Sequence, residues 1–92
     1  MSEQLTTRRV VVHGDVQGVF FRDSTKQEAD SAGVAGWVSN EPDGTVAAHF
    51  EGSPDAVETL LAYVRHGPRR ASVERVDVTD VPTEGTRGFQ VR

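Results

Sequence analysis

The sequence predicts a single α+β domain in which a largely antiparallel sheet carries two helices on one face. Three observations indicate this class: two segments with helical signals, several short runs rich in β-branched residues, and a turn signal between two of these runs. The chain has 92 residues, which suits one domain with one modest core. We expect residues 1–7 to form a flexible N-terminal segment and residues 8–92 to form the domain.

The first half of the chain is predicted to contain a strand, a helix and a hairpin. A valine-rich strand covers residues 9–13. A helix covers residues 22–32, because this stretch lacks glycine and proline and is followed by a glycine. Two further strands, 34–40 and 45–51, are separated by Glu41-Pro42-Asp43-Gly44, which has the residues of a hairpin turn.

The second helix carries the clearest signals in the sequence. Ser53 can cap it, and Pro54 suits its first turn. Apolar residues then recur at the spacing of one helical face, and the dipeptide Gly67-Pro68 ends the helix. The members of this apolar stripe are Val57, Leu60, Leu61 and Val64.

Two strands complete the predicted fold. Val76 and Val78 alternate in the first of them, whereas Val73 is out of phase and indicates an irregular start. Phe89 and Val91 alternate in a short closing strand. The order β-α-β-β-α-β is that of the ferredoxin-like sandwich, which also occurs in RNA-binding and regulatory proteins. The fold alone therefore does not indicate a function.

Composition excludes several classes of protein. Ten basic and fourteen acidic side chains give a net charge of −4, which is a poor complement to nucleic acid, and only 7% of the residues are aromatic. The absence of cysteine excludes disulfides, cysteine-ligated zinc and a cysteine nucleophile. No apolar stretch approaches the length of a membrane span. We expect a cytoplasmic monomer that binds neither nucleic acid nor membrane.

The segment from Gly14 to Arg22 has the chemistry of a phosphate site. Gly14 and Gly18 frame it, and glycine allows the main chain to approach a ligand closely. The N–H groups at a helix N-terminus attract an anion, and Arg22 adds a planar, charged fork. Neither standard nucleotide signature is present. From the local pattern alone, a tight turn with a solvated arginine is as good an interpretation as a phosphate site.

Two longer patterns occur together in the chain. Residues 14–22 read GDVQGVFFR, and residues 36–46 read GWVSNEPDGTV. In order and spacing they resemble the G-x-V-Q-G-V-x-F-R and G-W-V-x-N-x-x-D-G-x-V signatures of the acylphosphatase family, and two long motifs in register are far more specific than one. The resemblance covers roughly residues 9–92 and includes Glu51-Gly52, Gly67-Pro68, Ala71-x-Val73 and Gly88-Phe89-Gln90-Val91-Arg92.

The resemblance implies an enzyme that hydrolyses small acyl phosphates, such as acetyl or carbamoyl phosphate, to a carboxylate and inorganic phosphate without a metal or cofactor. It implies that Arg22 binds the phosphoryl group and that Asn40 orients the attacking water. Without the resemblance, Asn40 reads as a turn residue. A non-catalytic phosphate-binding regulatory module on the same fold is the alternative. The main-chain amides expected to hold the phosphate are those of Asp15, Val16, Gln17, Gly18, Val19 and Phe20.

Other residues near these motifs have weaker signals. His13, His49 and His66 lack the spacing of metal ligands, although His13 lies beside the loop and could tune phosphate binding. Phe20 could shape an acyl pocket or simply cover the loop. Asp15 is expected to point outward, because its charge would oppose a bound phosphate.

Overall fold

The computed structural model describes residues 4–92 as a five-stranded sheet with two helices on one face. The strand order is β4-β1-β3-β2-β5; the pairings among the first four strands are antiparallel, and β5 is parallel to β2. This arrangement confirms the predicted ferredoxin-like α+β fold. Neither helix in this part of the chain is long and apolar enough to span a membrane. The elements are β1 (Thr6–Asp15), α1 (Phe21–Ala32), β2 (Ala35–Asn40), β3 (Val46–Gly52), α2 (Pro54–Val64), β4 (Ser72–Asp80) and β5 (Phe89–Val91).

Strand β1 is longer than predicted at both ends. Thr6 and Thr7 pair with β3, so the strand begins inside the segment that was expected to be flexible. Residues 4 and 5 precede the strand, and residues 1–3 lie outside the described residues. Gly14 and Asp15, which were assigned to the loop, pair with β4. The ladder extends because neighbouring strands supply partners, and the local sequence does not show them.

The bounds of α1, β2 and β3 shift by one residue, and α2 ends at Val64, ahead of the predicted stop at Gly67-Pro68. Local hydrogen bonds explain two of the one-residue shifts. The N–H of Val34 donates to the carbonyl of Ala29 at 2.9 Å, so Val34 completes the end of α1 instead of starting β2. Both the N–H and the hydroxyl of Thr45 donate to Asp43, so Thr45 belongs to the turn instead of β3.

The hydrophobic core lies between the helices and the sheet. The apolar stripe predicted on α2 is buried in full. In the closing strand Phe89 is buried and stacks on Phe50 with ring centroids 6.0 Å apart, whereas Val91 is exposed. The sheet also contributes side chains to the core, and these are Val10, Val12, Val38, Val46, Ala48 and Phe50.

Strand β4 enters the sheet irregularly, as the phase of Val73 predicted. The register with β1 shifts at this point, because His13 faces Arg75 whereas Gly14 faces Val73. A Cβ atom on Gly14 would lie 2.2 Å from the carbonyl oxygen of Ser72. Only glycine permits this close approach of the two strands, one residue before β1 ends.

The sheet face opposite the helices carries a polar network. The Nη2 of Arg9 lies 3.2 Å from Nδ1 of His49, and Nε2 of His49 lies 2.9 Å from Oε2 of Glu51. Since arginine can only donate, Nδ1 accepts and Nε2–H donates to the carboxylate. Glu51 also accepts main-chain N–H groups of residues 84–86 at 3.0–3.3 Å. The network therefore attaches residues 84–86, which precede β5, to the sheet.

Glu51 is expected to make folding stability depend on acid pH. Burial raises the pKa of its carboxyl, but the hydrogen bonds from Thr86 and His49 lower the pKa by more. The net result is a pKa of about 2 instead of the ordinary 4.5. Because the folded-state pKa is the lower one, the ionised group stabilises the fold above pH 4.5, and this contribution is lost as the pH falls toward 2. A shift of this size corresponds to about 3 kcal/mol of unfolding free energy.

Urea unfolding measured from pH 7 down to pH 2 checks this expectation. The Glu51→Gln variant should be less stable than the wild type at pH 7, and its stability should change less with pH. Glu58→Gln is the matched control, because Glu58 is exposed on α2. A Glu51→Gln variant with the pH dependence of the wild type would contradict the assignment.

Candidate functional site

A pocket of about 260 Å³ lies where the loop of residues 16–20 meets the end of β2. It combines main chain from this loop, the first turn of α1 and the last residue of β2. The pocket is lined by Val16, Gly18, Phe20, Phe21, Arg22, Asp23 and Asn40. It thus brings together Arg22 and Asn40, the two side chains singled out in the sequence, although they come from separate motifs.

The loop of residues 16–20 leads from β1 into the N-terminus of α1. Gly18 has a φ of 73° and Phe20 a φ of 63°, so the loop turns twice through the left-handed region. Within residues 4–92, no main-chain hydrogen bond of the turns and loops is donated by the N–H groups of residues 16–20. These groups lie at the positive end of the α1 dipole, which is where proteins bind anions.

The side chain of Gln17 ties this loop to the β2–β3 turn. Its Nε2 donates to the carbonyl oxygens of Glu41 at 2.7 Å and Thr45 at 2.9 Å. Asp43 closes the same turn, and the hydrogen bonds from Thr45 lower the pKa of that carboxyl. Since Asn40 directly precedes the turn, Gln17 fixes the loop relative to Asn40. From the sequence we gave Gln17 only a main-chain role, because a local pattern does not show which carbonyls its side chain reaches.

Arg22 lies in the first turn of α1 and contacts the residue that follows β5. Its Nη1 donates to the carbonyl oxygen of Arg92 at 2.9 Å. One turn further along the helix, Lys26 donates to the carbonyl oxygen of Phe89 at 3.1 Å. A guanidinium has five N–H donors, so this contact orients Arg22 and leaves donors for a ligand.

Asn40 is the last residue of β2 and is partly exposed at the pocket. It pairs with Val46 in the hairpin, so its main chain is fixed by the ladder. The main-chain carbonyl oxygen of Asn40 accepts a hydrogen bond from the Ser39 hydroxyl at 3.3 Å, whereas its side-chain amide makes no hydrogen bond to a protein group within residues 4–92. The amide is therefore available to a ligand or a water molecule.

The residues expected to supply amides take three different positions. Val16, Gly18 and Phe20 line the pocket. Val19 packs against the hydrophobic core. Asp15 ends β1 with an exposed side chain and does not line the pocket, so its carboxylate is kept from the candidate anion site.

His13 lies on the sheet face opposite the helices. Its Nε2 is 2.9 Å from Oδ2 of Asp77 and 3.2 Å from Nη2 of Arg75. The hydrogen bond with His13 is the main cause of a lowered pKa at Asp77. Since His13 does not line the pocket, the geometry gives no support to the idea that it tunes phosphate binding.

The one cluster of three metal-ligating side chains in residues 4–92 lies away from this pocket. It consists of His49, Glu51 and Glu84, whose ligand atoms lie within 4.8 Å of one another. The guanidinium of Arg9 contacts both His49 and Glu84, which opposes a further cation. Glu51 already accepts several N–H groups, and it lies at the end of β3 that is remote from the pocket. The cluster therefore belongs to the polar network on the sheet face opposite the helices.

The chain is similar to known proteins over nearly its whole length. The acylphosphatase family model matches residues 8–91. An acylphosphatase of Nocardioides sp. is 58% identical over 83 residues, which cover 90% of this chain and 84% of the relative. One from Rubrobacter xylanophilus is 54% identical over 85 residues, or 91% of this chain and 77% of the relative. The crystal structure of acylphosphatase from Bacillus subtilis has a TM-score of 0.92 and 36% identity, covering 97% of this chain and 99% of its own.

Proposed function

Because the chain belongs to the acylphosphatase family and is an enzyme of that family, we propose that its pocket hydrolyses small acyl phosphates, such as acetyl or carbamoyl phosphate, without a metal ion or cofactor. The observation that carries the proposal is the meeting of Arg22, Asn40 and the loop of residues 16–20 in one pocket. An anion site and a neutral amide that can hold water are the two components that this reaction needs.

Arg22 and the loop N–H groups bind the phosphoryl group in this proposal. Charge builds on the equatorial phosphoryl oxygens as the transition state forms, and fixed donors stabilise that charge without having to reorganise. The contact with the Arg92 carbonyl orients the guanidinium in advance. The Gln17 side chain holds the loop in place in the same way.

Asn40 orients the attacking water. Its amide can accept a hydrogen bond from the water and donate one, which positions the water oxygen in line with phosphorus. The new bond joins the water oxygen to phosphorus while the bond from phosphorus to the acyl oxygen breaks, and the carboxylate leaves with the bonding electrons. The water proton passes to a phosphoryl oxygen. A carboxylate has a conjugate-acid pKa of about 4, so it leaves without a general acid.

Hydrolysis of benzoyl phosphate and acetyl phosphate by the pure protein with EDTA present tests this function. We expect both to be cleaved, whereas p-nitrophenyl phosphate, a monoester control, should be stable. Loss of activity in EDTA with recovery on adding a divalent ion would overturn the metal-independent mechanism. If no acyl phosphate were cleaved while inorganic phosphate still raised Tm, the pocket would be a phosphate-binding regulatory module instead.

A further inference from the structure

We propose that Phe20 makes the pocket selective for acyl phosphates whose acyl group is apolar or aromatic, in preference to small groups such as acetyl. The inference rests on the proposed function, because it names the substrate class of the same pocket. Two features of the structure carry it: the conformation of Phe20 and the accessibility of its ring.

The backbone of Phe20 adopts a conformation that a bulky residue rarely takes. Its φ is 63° and its ψ is 23°, and within residues 4–92 it is the one non-glycine residue with a positive φ. Glycine occupies the other positive-φ positions in this part of the chain. Steric contact of Cβ makes this conformation unfavourable for phenylalanine, and such strain is concentrated at functional sites. The ring therefore has a role that glycine, which would relieve the strain, could not fill.

Phe20 is the apolar side chain of the pocket that a ligand can reach. Val16 and Phe21 also line the pocket but are only 1% and 2% exposed, because they belong to the core. Phe20 is 70% exposed. A lone exposed phenylalanine is ordinary on a protein surface, but this one stands beside the candidate phosphate site. With the phosphoryl group on the loop, the acyl group has this ring as its apolar contact.

The test is the ratio of kcat/KM for benzoyl phosphate to kcat/KM for acetyl phosphate. Phe20→Ala and Phe20→Gly should each lower this ratio roughly tenfold relative to the wild type, since an apolar pocket contact is worth about that factor. Phe20→Gly relieves the positive φ, so its loss of selectivity cannot come from a strained fold. Val78→Ala, which truncates an exposed apolar side chain on β4, should leave the ratio unchanged.

Inhibition by inorganic phosphate distinguishes a role of Phe20 in substrate selectivity from a purely structural role in the loop. If Phe20 only shaped the loop, its variants would weaken phosphate inhibition and slow both substrates alike, and that result would overturn the inference. An unchanged ratio would overturn it as well, with the proposed function intact. Absence of turnover in the wild type would overturn the proposed function itself, and this inference with it.

Discussion

Arg22→Ala is expected to lower kcat/KM for acyl phosphates by roughly 10³-fold or more, because it removes the fixed positive charge that stabilises the phosphoryl oxygens in the transition state. Inhibition by inorganic phosphate should weaken in the same variant, since ground-state binding uses the same group. Steady-state kinetics with benzoyl phosphate and a phosphate inhibition series measure both effects.

Two further variants sharpen the assignment of Arg22. Arg65→Ala removes an exposed arginine at the end of α2 and should leave the kinetics unchanged, which controls for the loss of one positive charge. Arg22→Lys keeps the charge but loses the planar fork, so we expect only partial recovery. Near-normal kcat/KM in Arg22→Ala would refute the role of this residue.

Asn40→Ala is expected to lower kcat by roughly 10²- to 10³-fold while inhibition by inorganic phosphate stays close to normal, because the change removes a group that orients water and leaves the loop and Arg22 in place. This separation distinguishes Asn40 from Arg22, whose loss affects binding and turnover together. The two measurements are kcat from steady-state kinetics and the inhibition constant of inorganic phosphate.

Gln27→Ala is the matched control, because it truncates an exposed amide on α1 away from the pocket. Asn40→Asp adds a second test: it keeps the shape of the side chain but places a negative charge beside the phosphoryl group, so phosphate inhibition should also weaken. Normal kcat in Asn40→Ala would mean that the water is oriented by something else.

The parts of the fold that could be predicted are those whose signals are local. Helix α2 was predicted correctly from Ser53 to its apolar stripe, and the Ser53 side chain indeed accepts the N–H of Ala56 at 3.3 Å. The irregular start of β4 was visible in the phase of Val73. In both cases the residues that decide the structure lie within a few positions of one another.

The parts that could not be predicted depend on distant partners. The length of β1 is set by β3 and β4, and the buried carboxylate of Glu51 is stabilised by a segment that follows β4. For the site, resemblance to a family identified Arg22 and Asn40, but no local pattern indicates the side-chain contacts of Gln17. Nor could it show that Phe20 would be exposed at a strained position.

The contact that orients Arg22 also bears on how the enzyme folds. The accepting carbonyl belongs to Arg92, 70 positions further along the chain. Closing so large a loop is entropically costly, and contacts of high sequence separation form slowly. The guanidinium is therefore set only once the last strand has docked beside β2. In a refolding experiment, the return of catalysis therefore requires the docking of β5 and not only the formation of the helices.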